Sequence, residues 1–209
     1  MKRMRRLAAT IMFSLVLIPI FSSAITFSGG HTSISLQEGN RTVTLTDGAV
    51  VDTDEVQLKA DSVEIYGENY RYVVCTGNVV AKEKESKISF RSPSVFYDRT
   101  RGIVSSDSWI EIQDTENQAA LSGAWFEYDM EKSLMKLKMM ARIIKVTDEG
   151  LMVCRADLIE YDGKKNTVTL KGNATVVYKG DSYRAAIITV NLDTDEISLF
   201  GTVSGEFNG

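Results

Sequence analysis

Side chains able to do acid–base, nucleophilic or metal chemistry are few in this chain, and they are not grouped. Histidine, the usual base near neutral pH and the commonest metal ligand, occurs once, as His31 in the stretch FSGGHTS. A Ser-His-Asp triad or a histidine-based zinc site needs a positioned histidine. A lone one in a Gly/Ser-rich stretch near a terminus reads as a flexible surface residue. Tyr and Asp recur as adjacent pairs at 97–98, 128–129 and 161–162, a combination that would suit a general acid. Each pair, however, ends an apolar alternation and begins a polar stretch. The Asp is therefore expected to cap backbone N–H groups as the first residue of a turn. No phosphate-binding or dinucleotide-binding glycine pattern stands between a strand and a helix. Cys75 and Cys154 remain. Both occupy apolar positions, where two packed thiols and one disulfide of an oxidising compartment are the alternatives. No catalytic residue, metal site or cofactor is expected, and the chain reads as a non-enzyme.

What such residues are carried on depends on one ambiguous segment, YDMEKSLMKLKMMARIIK (128–145). Leu134, Leu137, Ala141 and Ile144 make a helical stripe, and Lys132, Lys136, Lys138, Arg142 and Lys145 would make that helix basic. Such a helix lies on anionic membranes or is bound by calmodulin-like partners. Met135, Leu137, Met139, Ala141 and Ile143 also alternate, as a half-buried strand does. The segment aligns without a gap on YDGKKNTVTLKGNATVVY (161–178), which is rich in Thr and Val and turns at GKKN. That copy makes a poor helix and a good hairpin strand. YDRTRGIVSSDSWIEIQ (97–113), YGENYRYVVCTGNVVAK (66–82) and, with a shorter turn, LDTDEISLFGTVSGEF (192–207) extend the series. The spacing of Gly77, Ser108, Met139, Gly172 and Gly201, about 30 residues, marks a repeated supersecondary unit. The basic helix is set aside.

Before each turn stand apolar pairs: Val63/Ile65, Val95/Tyr97, Phe126/Tyr128, Ile159/Tyr161 and Val190/Leu192. Further back, with opposite parity, stand Val56/Leu58, Ile88/Phe90, Ala119/Leu121, Met152/Cys154 and Tyr183/Ala185. Ala60, Ser92, Gly123, Ala156 and Ile187 lie between the two sets. A parity switch beside a small residue is produced where a strand bends from one sheet into another, and Pro93 falls at such a corner. After each turn the alternation resumes, as in Val73–Cys75–Gly77–Val79–Ala81 and, at the end, Ile197–Leu199–Gly201–Val203. Met139 is expected to face inward, filling space left open at Gly77 and Gly172. Lys136 and Lys138 should face solvent. The fold class is all-β: two facing antiparallel sheets built from about five to six repeats, near 33–51, 56–82, 88–113, 119–146, 152–179 and 183–207.

The N-terminus is of another kind. MKRMRR precedes the apolar run Leu7 to Phe21, and SSA follows it. This is the pattern of an export signal cleaved after Ala24, with an uncleaved anchor as the alternative. The run is shorter than the roughly 20 residues of a spanning helix. Residues 1–24 are thus assigned as signal peptide and residues 25–209 as one domain. Loss of Lys2, Arg3, Arg5 and Arg6 leaves 20 basic against 28 acidic residues, a net charge near −8. An acidic domain is a poor nucleic-acid binder.

ADSVEIYGENYRYVVCTGNVVAK (60–82) and ADLIEYDGKKNTVTLKGNATVVYKGDSYRAAIITVNLDTDEISLFG (156–201) resemble the OstA-like, or LptA-type, domain of lipopolysaccharide transport. The shared pattern is an Ala-Asp opening, alternation, a turn, then Gly-Asn and further alternation, and it extends from about Gln57 to Phe207. The third copy departs from it, with Gly123-Ala124 and Met139, and the second has SPSVFYD and Ser108. The resemblance implies a twisted, open-ended β-jellyroll in the periplasm. It also implies end-to-end stacking through edge strands, and docking on an inner-membrane anchor and an outer-membrane translocon of the same fold. The cargo would be lipopolysaccharide or another acylated glycolipid, its acyl chains shielded between the sheets during transfer from the inner to the outer membrane. Each methylene withdrawn from water contributes about 0.8 kcal/mol. The expected lining is Val63, Ile65, Val73, Cys75, Val95, Tyr97, Phe126, Tyr128, Met135, Leu137, Ile159, Tyr161, Val168, Leu170, Val190, Leu192 and Leu199. The competing reading is a structural β-repeat scaffold of the envelope with a dry core.

Overall fold

The computed structural model describes residues 26–37, 40–52, 56–83, 88–115, 118–147, 150–191, 194 and 196–207. Residues 1–24, assigned above as a signal peptide, lie outside the described residues, as does Leu192.

Eighteen strands account for almost all of the described chain. They are β1 (Thr26–Ser28), β2 (His31–Gln37), β3 (Asn40–Thr46), β4 (Ala49–Asp52), β5 (Val56–Ala60), β6 (Ser62–Tyr66), β7 (Tyr72–Glu83), β8 (Ile88–Asp98) and β9 (Ile103–Ser106). The second half of the chain adds β10 (Ile110–Asp114), β11 (Ala119–Gly123), β12 (Trp125–Asp129), β13 (Leu134–Thr147), β14 (Gly150–Asp162), β15 (Thr167–Tyr178), β16 (Asp181–Asn191), β17 (Ile197–Phe200) and β18 (Ser204–Glu206). All pairings are antiparallel.

The long strands β7, β8, β13, β14, β15 and β16 bend in the middle and contribute to both walls. The first wall contains β1, β4, β5, the second half of β7, the first half of β8, β10, β11, the second half of β13, the first half of β14, the second half of β15, the first half of β16, and β18. The second wall contains β2, β3, β6, the other halves of the bent strands, β9, β12 and β17. The two walls therefore share one bent spine and stand open along the side where the turns lie. This is a β-jellyroll.

The spine explains the Ala-Asp and Gly-Asn recurrence. Pairing slips between Thr76 and Val79 and again between Lys171 and Ala174. Gly77 and Asn78, and likewise Gly172 and Asn173, take left-handed backbone at these points. A Cβ on Gly77 would lie 2.2 Å from Asp61 Oδ2, and one on Gly172 would lie 2.5 Å from Asp157 Oδ2. The adjacent asparagine completes the corner: Asn78 Nδ2 donates to Asp61 Oδ2 at 2.9 Å, and Asn173 Nδ2 to Asp157 Oδ2 at 2.9 Å. The alanine before each Asp is buried against the interior. Glycine is required because the aspartate leaves no room and the backbone is left-handed.

Four sequence expectations are corrected at the spine and at the chain ends. Met139 does not face inward: it is 54% exposed, and Met140 78%. Both have positive φ, occupying the places of Gly-Asn. The two left-handed residues let Leu137 and Ala141 remain inward while their own side chains turn out. In the last copy the small corner residues are Ala185 and Ala186. Ile187 is outward and exposed, and a Cβ on Gly201 would meet Ala186 at 2.7 Å. Val203, past the final corner, is exposed. His31 is exposed but heads β2, paired with Thr46, so it belongs to a strand and not to a flexible tail.

Candidate functional site: the apolar interior

The register lines inward residues of the second wall into two continuous rows. Nearer the spine run Leu45, Val63, Cys75 and Val95, then the polar Ser106, then Phe126, Leu137, Ile159, Leu170, Ile188 and Leu199. Nearer the open side run Val43, Ile65, Val73, Tyr97, Val104, Tyr128, Met135, Tyr161, Val168, Val190 and Ile197. Every expected lining residue within the described chain falls on one of these rows. Val63, Cys75, Val95, Phe126, Tyr128, Met135, Leu137, Ile159, Tyr161, Val168, Leu170 and Val190 are buried; Ile65, Val73, Tyr97 and Leu199 are half-buried. The half-buried ones lie near the ends of the fold or on the open side, where the opposite wall gives less cover.

The expected lining named one wall only. The facing wall supplies Val79, Ala81, Ile110, Ile112, Leu121, Ala141, Cys154, Ala156, Ala174, Val176 and Ala185, all buried. Its parity had marked the interior before the turns, but burial from across the gap is a tertiary fact. Two packed clusters result, one holding Leu45 to Val95 and the other Ile110 to Val190, joined through Phe90 and Val104. Between the walls lies a cavity of about 60 Å³ with a wholly apolar surface, lined by Leu121, Met135, Ile143, Met152, Cys154 and Tyr161 among others, and bordered by the carbon atoms of Asp114 and Lys145.

Polar groups inside are few, and the serines among them pair with one another. In the second copy, which lacks Gly-Asn, buried Ser92 and Ser106 meet Oγ to Oγ at 3.0 Å, and Ser94 meets Ser108 at 3.1 Å. The sequence marks Ser92 and Ser108 only as small residues; the hydroxyls of all four serines tie the corner together. Cys75 and Cys154 are free thiols in different clusters. Burial pushes both up to about 12, so they are packed neutral groups.

The Tyr-Asp pairs form turns. Asp98 Oδ1 accepts from the backbone N–H of Thr100 and Arg101, Asp129 Oδ1 from Lys132, and Asp162 Oδ1 from Lys164 and Lys165. Asp98 is also gripped by Arg71, Nε to Oδ1 at 2.9 Å and Nη2 to Oδ2 at 2.6 Å. That hydrogen-bonded pairing outweighs desolvation and holds the Asp98 carboxyl below its usual range. Among the described residues no group of three or more His, Cys, Asp or Glu side chains is arranged to hold a metal ion. On the outside, Lys136 pairs with Glu127 at 3.7 Å and Lys138 lies over the Trp125 ring at 4.1 Å.

Fold and interior together define a class: an open two-walled β-jellyroll with a continuous apolar interior between its sheets. Residues 57–196 match the family described as LptA/(LptD N-terminal domain) LPS transport protein. The chain belongs to that family, one of transport proteins and not of enzymes. Sequence comparison with curated proteins gives no match. Among solved structures, the crystal structure of LptH from Pseudomonas aeruginosa, the LptA-homologous periplasmic component of a lipopolysaccharide transport device, is 10% identical. That comparison covers 89% of this chain and 96% of LptH, with a TM-score of 0.29, too loose a likeness to carry an argument.

Proposed function

We propose that this protein is a periplasmic carrier that takes the acyl chains of lipopolysaccharide, or of a related glycolipid, between its two walls and leaves the head group at the open side. The observation that carries the reading is the apolar row nearer the open side, unbroken along the length of the second wall, with the row nearer the spine broken only at Ser106. An acyl chain laid across successive strands would meet Val, Ile, Leu, Met, Phe and Tyr side chains without crossing a charge. Membership of a lipopolysaccharide transport family supports the same cargo. Transfer from inner to outer membrane would use copies stacked end to end. Among the described residues β2 pairs only with β3, and β17 and β18 only with β16, so unpaired edges stand at both ends. Such edges are templates for strand addition.

The packed interior bears on how loading must occur. A cavity of about 150 Å³ is what benzene occupies, and the space here is about 60 Å³. Loading therefore requires the walls to splay about the spine, opening the side where the turns lie. The tight packing is also the specific observation favouring a second reading, an envelope scaffold with a dry core.

Mass spectrometry of organic extracts separates the two. The mature protein, purified without detergent from its native envelope, is expected to carry acylated lipid in stoichiometric amount and to take up labelled lipid. Repeated absence of both would sink the carrier. Val95→Arg places a cation in the deep row and is expected to abolish uptake; a folded Val95→Arg protein that still captures lipid would remove the interior as the site.

A further inference from the structure

The outer face of the first wall carries a feature the transport reading does not use. Register places Arg91, Glu111, Ser122, Arg142, Arg155, Thr175 and Arg184 directly opposite one another in one cross-strand row. Their neighbours along each strand, such as Ser92, Ile112, Leu121, Ala141, Cys154 and Ala185, are buried in the interior, so the row faces outward. With strands about 4.8 Å apart, the row is roughly 30 Å long. Arg142 stands opposite Arg155, an arrangement of like charges that destabilises a sheet. Among the described residues no ion pair or side-chain hydrogen bond reaches Arg142, Arg155 or Arg184. Arg142 Nε is buried without a partner. Asp157, two residues along from Arg155, is taken by Asn173. In a chain with more acidic than basic residues, this concentration of free cations is not a by-product of composition.

The row ends at a hollow. Asn78, Val80, Arg91, Pro93, Trp109 and Glu111 surround about 420 Å³ at the corner of the second copy. Trp109 is 40% exposed, and its Nε1 donates to Glu111 Oε1 at 3.1 Å, which fixes the ring. A held, exposed indole beside an amide, a guanidinium and a carboxylate offers a flat apolar platform with planar polar groups around it. That combination holds a sugar ring by its C–H face and its hydroxyls. Arginines further along hold carboxylate or phosphate by paired N–H bonds.

We propose that this face binds an acidic saccharide chain, one sugar in the Trp109 hollow and its anionic groups along Arg142, Arg155 and Arg184. The ligand is distinct from cargo held between the walls. The row lies next to the spine, and the open side is about five residues away along the strands, roughly 17 Å, on the other side of the wall. The proposal therefore stands or falls separately from lipid carriage.

Calorimetric titration of the mature protein with oligogalacturonate, a carboxylated saccharide, tests it. A neutral galactose oligosaccharide of equal length and phosphatidylglycerol vesicles serve as the other arms. Oligogalacturonate is expected to bind, more weakly at higher salt, and the neutral chain not to. Arg142→Gln with Arg155→Gln, and separately Trp109→Ala, should each weaken binding about tenfold. The double Gln variant removes a repulsion, so its unfolding midpoint should stay the same or rise; Arg184→Gln gives an independent check, with weakened binding expected. No binding of oligogalacturonate, equal binding of the neutral chain, or wild-type affinity in the arginine variants would overturn the proposal. So would saturable binding to the vesicles alone.

Discussion

Gly172→Ala tests the physical account of the spine. Gly172 has φ +72°, and an added Cβ would lie 2.5 Å from Asp157 Oδ2 and 3.1 Å from its Cβ. Two costs follow. Left-handed backbone with a side chain costs about 1–2 kcal/mol. Asp157 must also swing away, breaking its bond from Asn173, a loss of about 1 kcal/mol. Gly172→Ala alone should therefore destabilise by about 2–3 kcal/mol, lowering Tm by about 5–10 °C for a domain of this size. In an Asp157→Ala background the carboxylate clash and the bond are already gone, and only the tight 3.1 Å approach to the remaining Cβ stays. About 1–2 kcal/mol should then remain, mostly from the left-handed backbone. Urea unfolding followed by circular dichroism on the four proteins of this cycle gives the coupling, expected near 1 kcal/mol. An equal cost of Gly172→Ala in both backgrounds would refute the idea that the aspartate dictates the glycine.

Met139→Gly is the converse case. It relieves left-handed strain on a side chain that is already exposed, and should raise stability by about 1 kcal/mol in the same unfolding assay. Asp98→Asn weakens the Arg71 pairing and the turn, and should destabilise at neutral pH by about 2 kcal/mol. Because the folded carboxyl is depressed below its ordinary value of 3.8, its contribution is full above that value. The contribution is lost as pH falls through the lower folded value, so the gap between variant and wild type should close there; a gap unchanged in acid would contradict the pairing. Cys75 and Cys154, buried and pushed up to about 12, should resist iodoacetamide at pH 8 in the folded protein and react in urea. Intact-mass measurement reads this directly, and rapid labelling of the native state would show the interior to be open.

Alternation is a local property of strands, since successive side chains point to opposite faces. This is why the all-β class and the inward identity of Val63, Leu137 or Leu170 are legible in the chain itself. The turns are legible for the same reason: an Asp after the last inward Tyr caps its own next residues, and partner and donor lie within three positions. The 30-residue recurrence rescues the segment 128–145 from a helical reading that its own residues support equally well. Interactions between residues distant in sequence are not legible. Met139 aligns with glycine, and volume alone makes it an inward filler. Only the register slip shows two left-handed residues there, with both side chains turned out to solvent. Asp61 and Asn78, or Asp157 and Asn173, meet across a hairpin, so the reason for the family-like Gly-Asn signature emerges only when the strands are paired. Arg91, Arg142, Arg155 and Arg184 are scattered over some 90 positions of sequence, and the register alone brings them into one row. Which face of each strand is apolar follows from the chain alone, because that is set within a few residues. Which apolar faces meet, how tightly, and which charges are left without partners is decided by pairing between distant strands.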